Sequence, residues 1–574
     1  MPSTRDQLPG STTDRWGPLG FFGVLGLFLS WRATLGFDFR DGSYVTALAM
    51  RVARGELPFR DESSLHVLGS LPAVPFVWLW THFVGVQGIV VATRLFFVAC
   101  ALGAGLVAYA ALHRIIGRWP TAVGAATALL VVPYNLQVTS YSTVPALCTL
   151  VGTASLVRCL WDGSARWAMI TGLSWALATM AFPIFVVPAI VAVAGTWILL
   201  PTAKSQRSRE AARRILALAW SAPLLTAAVG ALLTVGWAPI LDAVHGSTSQ
   251  RGFTSKPTAY LANKVDGLLQ SLDGSRLLPL AGLLAAIACL PMISAKVRGV
   301  LVLSSPVLVL AWSAKVGQSD VTEPTAGRYS GFVAWWLLIL LTPPVALWGW
   351  RHLGRGLRAA GLLAGVVGLV GTVAFAAVSA SGAQHGAISA GFVGMLAIVA
   401  AGAAAIITRS GLPLSFPMSL ALLTPLVASL VIVVFNEGPA IGLSHRIESG
   451  AAQGLLVGNA VARDLQSASD GLFSCARLDE GLIVIRQPGI WVLTNSPTSA
   501  ETLWTLDDGE REAARMVGHG EYPGCLVVAV DPRRPTAASM QSILQGYDSV
   551  GTVTLSPSIY DDVPNGFVVY ERRP

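Results

Sequence analysis

The chain has 574 residues, of which 53% are hydrophobic and 12% charged, with a net charge of +8. Its mean hydropathy is +0.62. No water-soluble protein of this length needs so much apolar sequence, and repeated apolar runs of about 20 residues, each able to cross a roughly 30 Å hydrocarbon layer, imply a polytopic α-helical membrane protein.

Thirteen spans are predicted, near 17–34, 88–111, 121–137, 143–160, 167–181, 183–200, 215–237, 277–294, 299–313, 331–350, 359–379, 387–408 and 415–435. The first run, Trp16–Trp31, is followed by Arg32 and has no small-x-small cleavage signal, so it reads as an uncleaved span. Lys and Arg collect in "AKSQRSREAARR", "AKVRG" and "RHLGRGLR" and mark the cytoplasmic side. That places the N-terminus in the cytoplasm and the C-terminus outside, in a plasma (inner) membrane.

Between the first two spans lies a large external loop, 35–86. Its stretch Asp38–Glu62 holds five carboxylates (Asp38, Asp41, Glu56, Asp61, Glu62) and four arginines (Arg40, Arg51, Arg54, Arg60). Asp41 reads as the N-cap of a helix over 42–54 that stops at Gly55, followed by a "GELPFRD" turn. Residues 64–86 are apolar and aromatic but interrupted by Pro72 and Pro75, which predicts a juxtamembrane helix pair rather than a span. Further external loops are expected near 238–276 and 314–330; the second ends at Arg328 and Tyr329, just before a span.

Composition changes near Asn436. Before residue 436 there are 29 basic and 14 acidic residues, and after it 10 and 17. Strand-like segments (481–494, 524–531, 565–572) alternate with helix-like ones (450–468, 507–518, 536–547), predicting an extracytoplasmic α/β domain over 436–574 after a membrane domain over 1–435. Cys475 and Cys525 are the only cysteines in that domain, and the compartment permits a disulfide between them. No glycine fingerprint for a nucleotide and no metal-ligand spacing occurs, and no nucleic acid is expected as a partner.

The segment "RDGSY…A…RVARGELPFRD" resembles the first external loop of the GT-C membrane glycosyltransferases, the type of the bacterial protein mannosyltransferases, the aminoarabinose transferase and the arabinofuranosyltransferases. The resemblance extends loosely over the whole chain, through the "GRY" before a later span to the external α/β tail. It implies an inverting hexosyl- or pentosyltransferase, with a polyprenyl-phosphate-linked sugar as donor and a cell-envelope glycan, lipid or protein as acceptor. It assigns Asp41 as the general base, with Asp38, Tyr44, Asp61, Glu62 and His66 as candidates for acceptor or sugar binding. Arg328, Tyr329 and Arg60 are candidates for the donor phosphate. Many members carry an adjacent Asp-Glu pair where Asp41 is followed here by Gly42, which argues against a two-carboxylate or metal-binding variant. No cofactor is expected, and a divalent metal, though chemically possible, is not indicated. The competing readings are a transporter or flippase for lipid-linked sugars, and a non-catalytic envelope scaffold. Coupled transporters usually place ionisable groups inside spans and show repeated halves.

Overall fold

The computed structural model describes residues 13–39, 41–132, 137–200, 206–249, 277–289, 355–378, 440–485 and most of 488–574, with isolated positions elsewhere. The N-terminal part is helical. Helix α1 (Thr13–Ala33) leads into the first loop, which carries α2 (Asp41–Ala53), the short α3 (Val67–Ser70) and α4 (Val74–Phe83). There follow α5 (Ile89–Ile116), α6 (Arg118–Leu130), α7 (Thr143–Asp162), α8 (Ala165–Ala181), α9 (Val186–Leu199), α10 (Gln206–Val235) and α11 (Trp237–Ser249). Two later helices span Leu277–Cys289 and Arg355–Val378.

Among the described residues four helices are long and apolar enough to cross a membrane: Ile89–Ile116, Thr143–Asp162, Ser208–Val235 and Gly356–Val378. Their outward faces are apolar. Leu362, Val366, Leu369 and Val373, three or four residues apart, are all about half exposed or more, a stripe suited to hydrocarbon rather than water. Small residues set how closely helices approach. A Cβ on Gly172 of α8 would lie 2.7 Å from the Leu216 carbonyl oxygen of α10, so these backbones touch only because that position is glycine.

Several expectations are corrected. The helix expected over 121–137 ends at Leu130; Pro133 follows, and proline disfavours helical backbone just before it. The predicted spans at 299–313, 331–350, 387–408 and 415–435 fall largely outside the described residues, as do most of the 238–276 loop and all of 314–330.

The C-terminal part is α/β. A four-stranded sheet has the order β3-β4-β6-β5, formed by β3 (Leu482–Ile485), β4 (Cys525–Val530), β5 (Tyr547–Leu555) and β6 (Asn565–Arg572). β3 and β4 are parallel, and the other neighbours are antiparallel. Alternation along the strands sends side chains to two buried faces. Ile483, Ile485, Leu526 and Val528 meet Met516, Met540 and Ile543, whereas Leu482, Val484, Cys525 and Val527 belong to a second core with Leu465 and Leu472. A small antiparallel pair, β1 (His445–Arg446) and β2 (Leu456–Val457), precedes the main sheet. The expected strand over 481–494 stops at Ile485, and Pro488–Leu493 forms a 3-10 helix instead. The helix expected from 450 starts at Asn459.

The second core does not end with the tail. Leu35, Phe37, Tyr44 and Leu48 of the first loop are buried in the same cluster as Leu455, Val457, Trp491 and Val492. The loop and the tail thus share one hydrophobic interior.

Candidate functional site in the first external loop

The site begins where α1 ends. The last carbonyls of a helix have no partner within it, and here Arg94 of α5 supplies one. Its Nη1 donates to the carbonyls of Ala33, Leu35 and Gly36 at 3.2, 2.9 and 2.9 Å. The tail grips the same segment: Gly36 N donates to the Leu456 carbonyl at 2.8 Å, and Leu456 N donates to that of Thr34 at 2.7 Å. Gly36 has φ +70°, a left-handed backbone that glycine adopts without strain, and this turns the chain toward Asp38.

Asp38 is buried. Its Oδ2 accepts the Gly42 amide at 2.8 Å, and Ser43 Oγ donates to its backbone carbonyl at 2.5 Å. A carboxylate that satisfies the first turn of α2 is therefore that of Asp38. Asp41 is instead the first residue of the helix. The side chains of Arg40 and Asp41 lie outside the described residues.

One turn into α2, Tyr44 is fully buried, and burial, then the nearby Glu62 charge, hold its hydroxyl well above the ordinary tyrosine range. Its ring meets His66 edge-on at 6.1 Å, and His66 stacks on Tyr141 at 3.9 Å with 12° between planes. Tyr141 belongs to the turn before α7, where Ser140 and Thr143 exchange bonds: Ser140 N donates to Thr143 Oγ1 at 2.8 Å and Thr143 N to Ser140 Oγ at 3.1 Å. A Cβ on Gly69 of α3 would lie 1.9 Å from Tyr141 N, so glycine there lets the first loop sit directly on this turn.

Arg51, Glu56, Arg60, Asp61 and Glu62 hold one another. Arg51 is buried, pairing through Nη1 with Glu62 Oε2 at 2.7 Å and through Nε with Glu56; its Nη2 donates to the Asp61 carbonyl. Glu62 Oε1 accepts the Ser64 amide at 3.1 Å. Asp61 Oδ2 accepts the Leu57 amide at 2.7 Å and closes the turn, while Oδ1 receives Arg60 Nε at 3.0 Å. Burial opposes ionisation of Asp61, but the Arg60 and Leu57 hydrogen bonds outweigh it and hold the carboxyl below its ordinary value. Phe59 in this turn has φ +70° and is the non-glycine residue with positive φ among the described residues.

No family model matches the chain, and no curated protein sequence matches it. Solved structures similar to it include the archaeal oligosaccharyltransferase AglB from Archaeoglobus fulgidus in complex with an inhibitory peptide and a dolichol-phosphate. The identity is 11% over 90% of this chain and 70% of that one, with a TM-score of 0.39. ArnT from Cupriavidus metallidurans bound to undecaprenyl phosphate is 13% identical over 96% of this chain and 98% of its own, with a TM-score of 0.42. ArnT in the apo state gives 12%, 97%, 98% and 0.38. Likeness at these scores assigns this chain neither a reaction nor a residue.

The structure brings Asp38, Tyr44, His66, Glu62 and Asp61 into one loop packed around α2. Glu62, read from sequence as a candidate for sugar or acceptor, is 1% exposed and committed to Arg51. His66, another such candidate, is likewise buried. Arg328 and Tyr329 lie outside the described residues. Among the described residues no group of three or more His, Cys, Asp or Glu is placed to hold a metal ion. Cys475 and Cys525 are joined by a disulfide, with Cα atoms 6.3 Å apart. The sequence reading did not pick out Arg94, Tyr141 or Trp491. Arg94 carried a signal, as a lone cation inside a strongly apolar run; a polar group at that depth needs internal partners.

Proposed function

We propose that this chain is a GT-C-type membrane glycosyltransferase that moves a sugar from a polyprenyl-phosphate carrier to a hydroxyl of a cell-envelope glycan, lipid or protein on the outer face. The observation that carries the proposal is the junction between α1 and α2. There an apolar helix hands over directly to a short helix beginning at Asp41, and its start is fixed by Asp38 Oδ2 on Gly42 N at 2.8 Å. A carboxylate at such a position is held beside the end of a membrane helix, where a lipid-linked substrate presents its head group. A helix N-terminus also favours the ionised form, which a general base requires.

In the reaction proposed, the acceptor oxygen attacks the anomeric carbon as its proton passes to the Asp41 carboxylate. The new carbon–oxygen bond forms as the bond to phosphate breaks, the polyprenyl phosphate leaves with the electron pair, and the anomeric configuration inverts. Arg328 and the exposed Arg60 are the groups proposed to meet the phosphate, because guanidinium–phosphate pairs are charge-assisted and bidentate, with the Tyr329 hydroxyl as a further donor. Asp38 positions the helix, whereas Tyr44, His66 and the Arg51–Glu62 pair shape its surroundings from within. The topology proposed has thirteen spans, the N-terminus in the cytoplasm and residues 436–574 outside.

The test is transfer of radiolabelled sugar from synthetic polyprenyl-phosphate donors to envelope extracts by the purified chain in nanodiscs. Wild-type protein should form a labelled product from at least one hexosyl or pentosyl donor, without nucleotide-sugar. In a parallel assay with the chain in sealed vesicles, transport of the intact donor without cleavage would favour the flippase reading, and neither activity would favour the scaffold.

A further inference from the structure

We infer that the C-terminal domain is a positioning element of the α1–α2 junction, gripping α2 at both ends, with Leu456 and the Arg54–Trp491 pair as the points of contact. At the N-terminal end, Leu35 forms an isolated parallel bridge with Leu456, and the two bonds of 2.8 and 2.7 Å between Leu456 and residues 36 and 34 tie the junction to β2 of the small sheet. Asp38 and Asp41 follow within a few residues. At the C-terminal end, the Arg54 guanidinium lies 5.0 Å from the Trp491 ring centroid, and its Nη1 donates to the Ser496 carbonyl at 3.1 Å. Trp491 is fully buried, so it presents a fixed ring to the cation.

The tail is itself fastened to the membrane part beside this junction. Gly88 N donates to the Gly450 carbonyl and Val90 N to that of Ala451, at 3.0 and 3.2 Å, both at the start of α5. Gly450 N donates to Gln87 Oε1 at 2.6 Å. A domain needed only to bind a distant polymer would require no main-chain pairing with the segment that carries the carboxylates. This inference rests on the function proposed above for the meaning of a rate, but not for the meaning of a structural readout.

The experiment uses full-length protein in nanodiscs with one change at each end, Arg54→Ala and Leu456→Pro, the second removing the amide that donates to Thr34. Hydrogen exchange is followed in 34–44 and, as an internal control, in strands 482–485 and 525–530, alongside kcat and KM for transfer. Each variant should speed exchange in 34–44 about tenfold, leave the control strands protected, and lower kcat while KM stays close to wild type. Arg54→Lys, which keeps a cation over the ring, should recover part of both effects. Unchanged exchange in 34–44 in both variants overturns the inference. So does a rise that includes the control strands, which would make these contacts purely structural. If wild-type protein transfers no sugar, the function proposed fails while the exchange comparison still decides the positioning.

Discussion

Arg51 and Glu62 face each other at 2.7 Å across the first loop, and each side chain is only 2% exposed. A charge withdrawn from water this completely depends on its partner, and removing one partner strands the other. Glu62→Gln should therefore destabilise the protein by about 3 kcal/mol, at the low end for such pairs because Glu56 also contacts Arg51. Replacing both residues together by Met and Leu should be milder than either single change. Thermal unfolding of the three variants in detergent checks the order.

Asp38 and Asp41 separate on one pair of substitutions. Asparagine at 38 keeps an oxygen for the Gly42 amide, so Asp38→Asn should retain transfer within about tenfold. Asparagine at 41 removes the basic oxygen, and loss of a general base slows a reaction by about 10²–10⁴-fold. Transfer rates of the two purified, folded variants decide between them; the reverse order would move the base to Asp38.

Gly69→Ala should be far more damaging than its size suggests. The new methyl would sit 1.9 Å from Tyr141 N and 2.3 Å from the Ser140 carbonyl carbon, both backbone atoms. Overpacking of this severity should cost about 3 kcal/mol or more, read as a fall in melting temperature and folded yield. Gly103→Ala on α5, where nothing lies within 4 Å, is the matched control and should be neutral.

Asp61 ties stability to acid pH. Its carboxyl titrates below the ordinary value of 3.8, so its contribution is complete above that value and is lost as pH falls through the depressed one. Unfolding measured between pH 5 and 2 should show a steeper loss for wild type than for Asp61→Asn. Parallel curves would mean that the Arg60 and Leu57 bonds to Asp61 contribute nothing in solution.

The bond between Cys475 and Cys525 closes a separation of 50 residues. On the loop-entropy model its removal in a double Ser variant should cost about 4 kcal/mol, seen as earlier unfolding and faster proteolysis of the tail.

What could be read from the sequence followed local signals. Long apolar runs located α5, α7 and α10, whereas the helix pair expected over 64–86 is a single helical run, Val67–Phe83, in which α3 passes into α4 through a 3-10 turn at Leu71–Ala73. Strand β5, Tyr547–Leu555, was missed because its sequence "YDSVGTVTL" is polar and carries a glycine, and its side chains are largely partly or fully exposed. The 3-10 turn at Pro488–Leu493 was taken for strand because "GIWVL" is as apolar as one, although Pro488 and Gly489 warned against it. In the site, the carboxylate-rich helix start was legible, but not the bond from the Gly42 amide to Asp38, a residue that lies before the helix. The grip of Leu456 on Gly36 could not be read at all: it is main-chain pairing between segments far apart in sequence, and no side chain advertises it.

That separation bears on how the molecule is made. Arg54 and the Ser496 carbonyl it bonds are 442 residues apart, and synthesis runs at about 5–20 residues per second, so the first loop emerges roughly 20 to 90 seconds before its partner exists. Throughout that interval Phe37, Tyr44 and Leu48 have no tail to bury against. The nascent loop therefore waits, sticky and unfinished, at the membrane surface, and the quality of the product depends on what shields it there until translation ends.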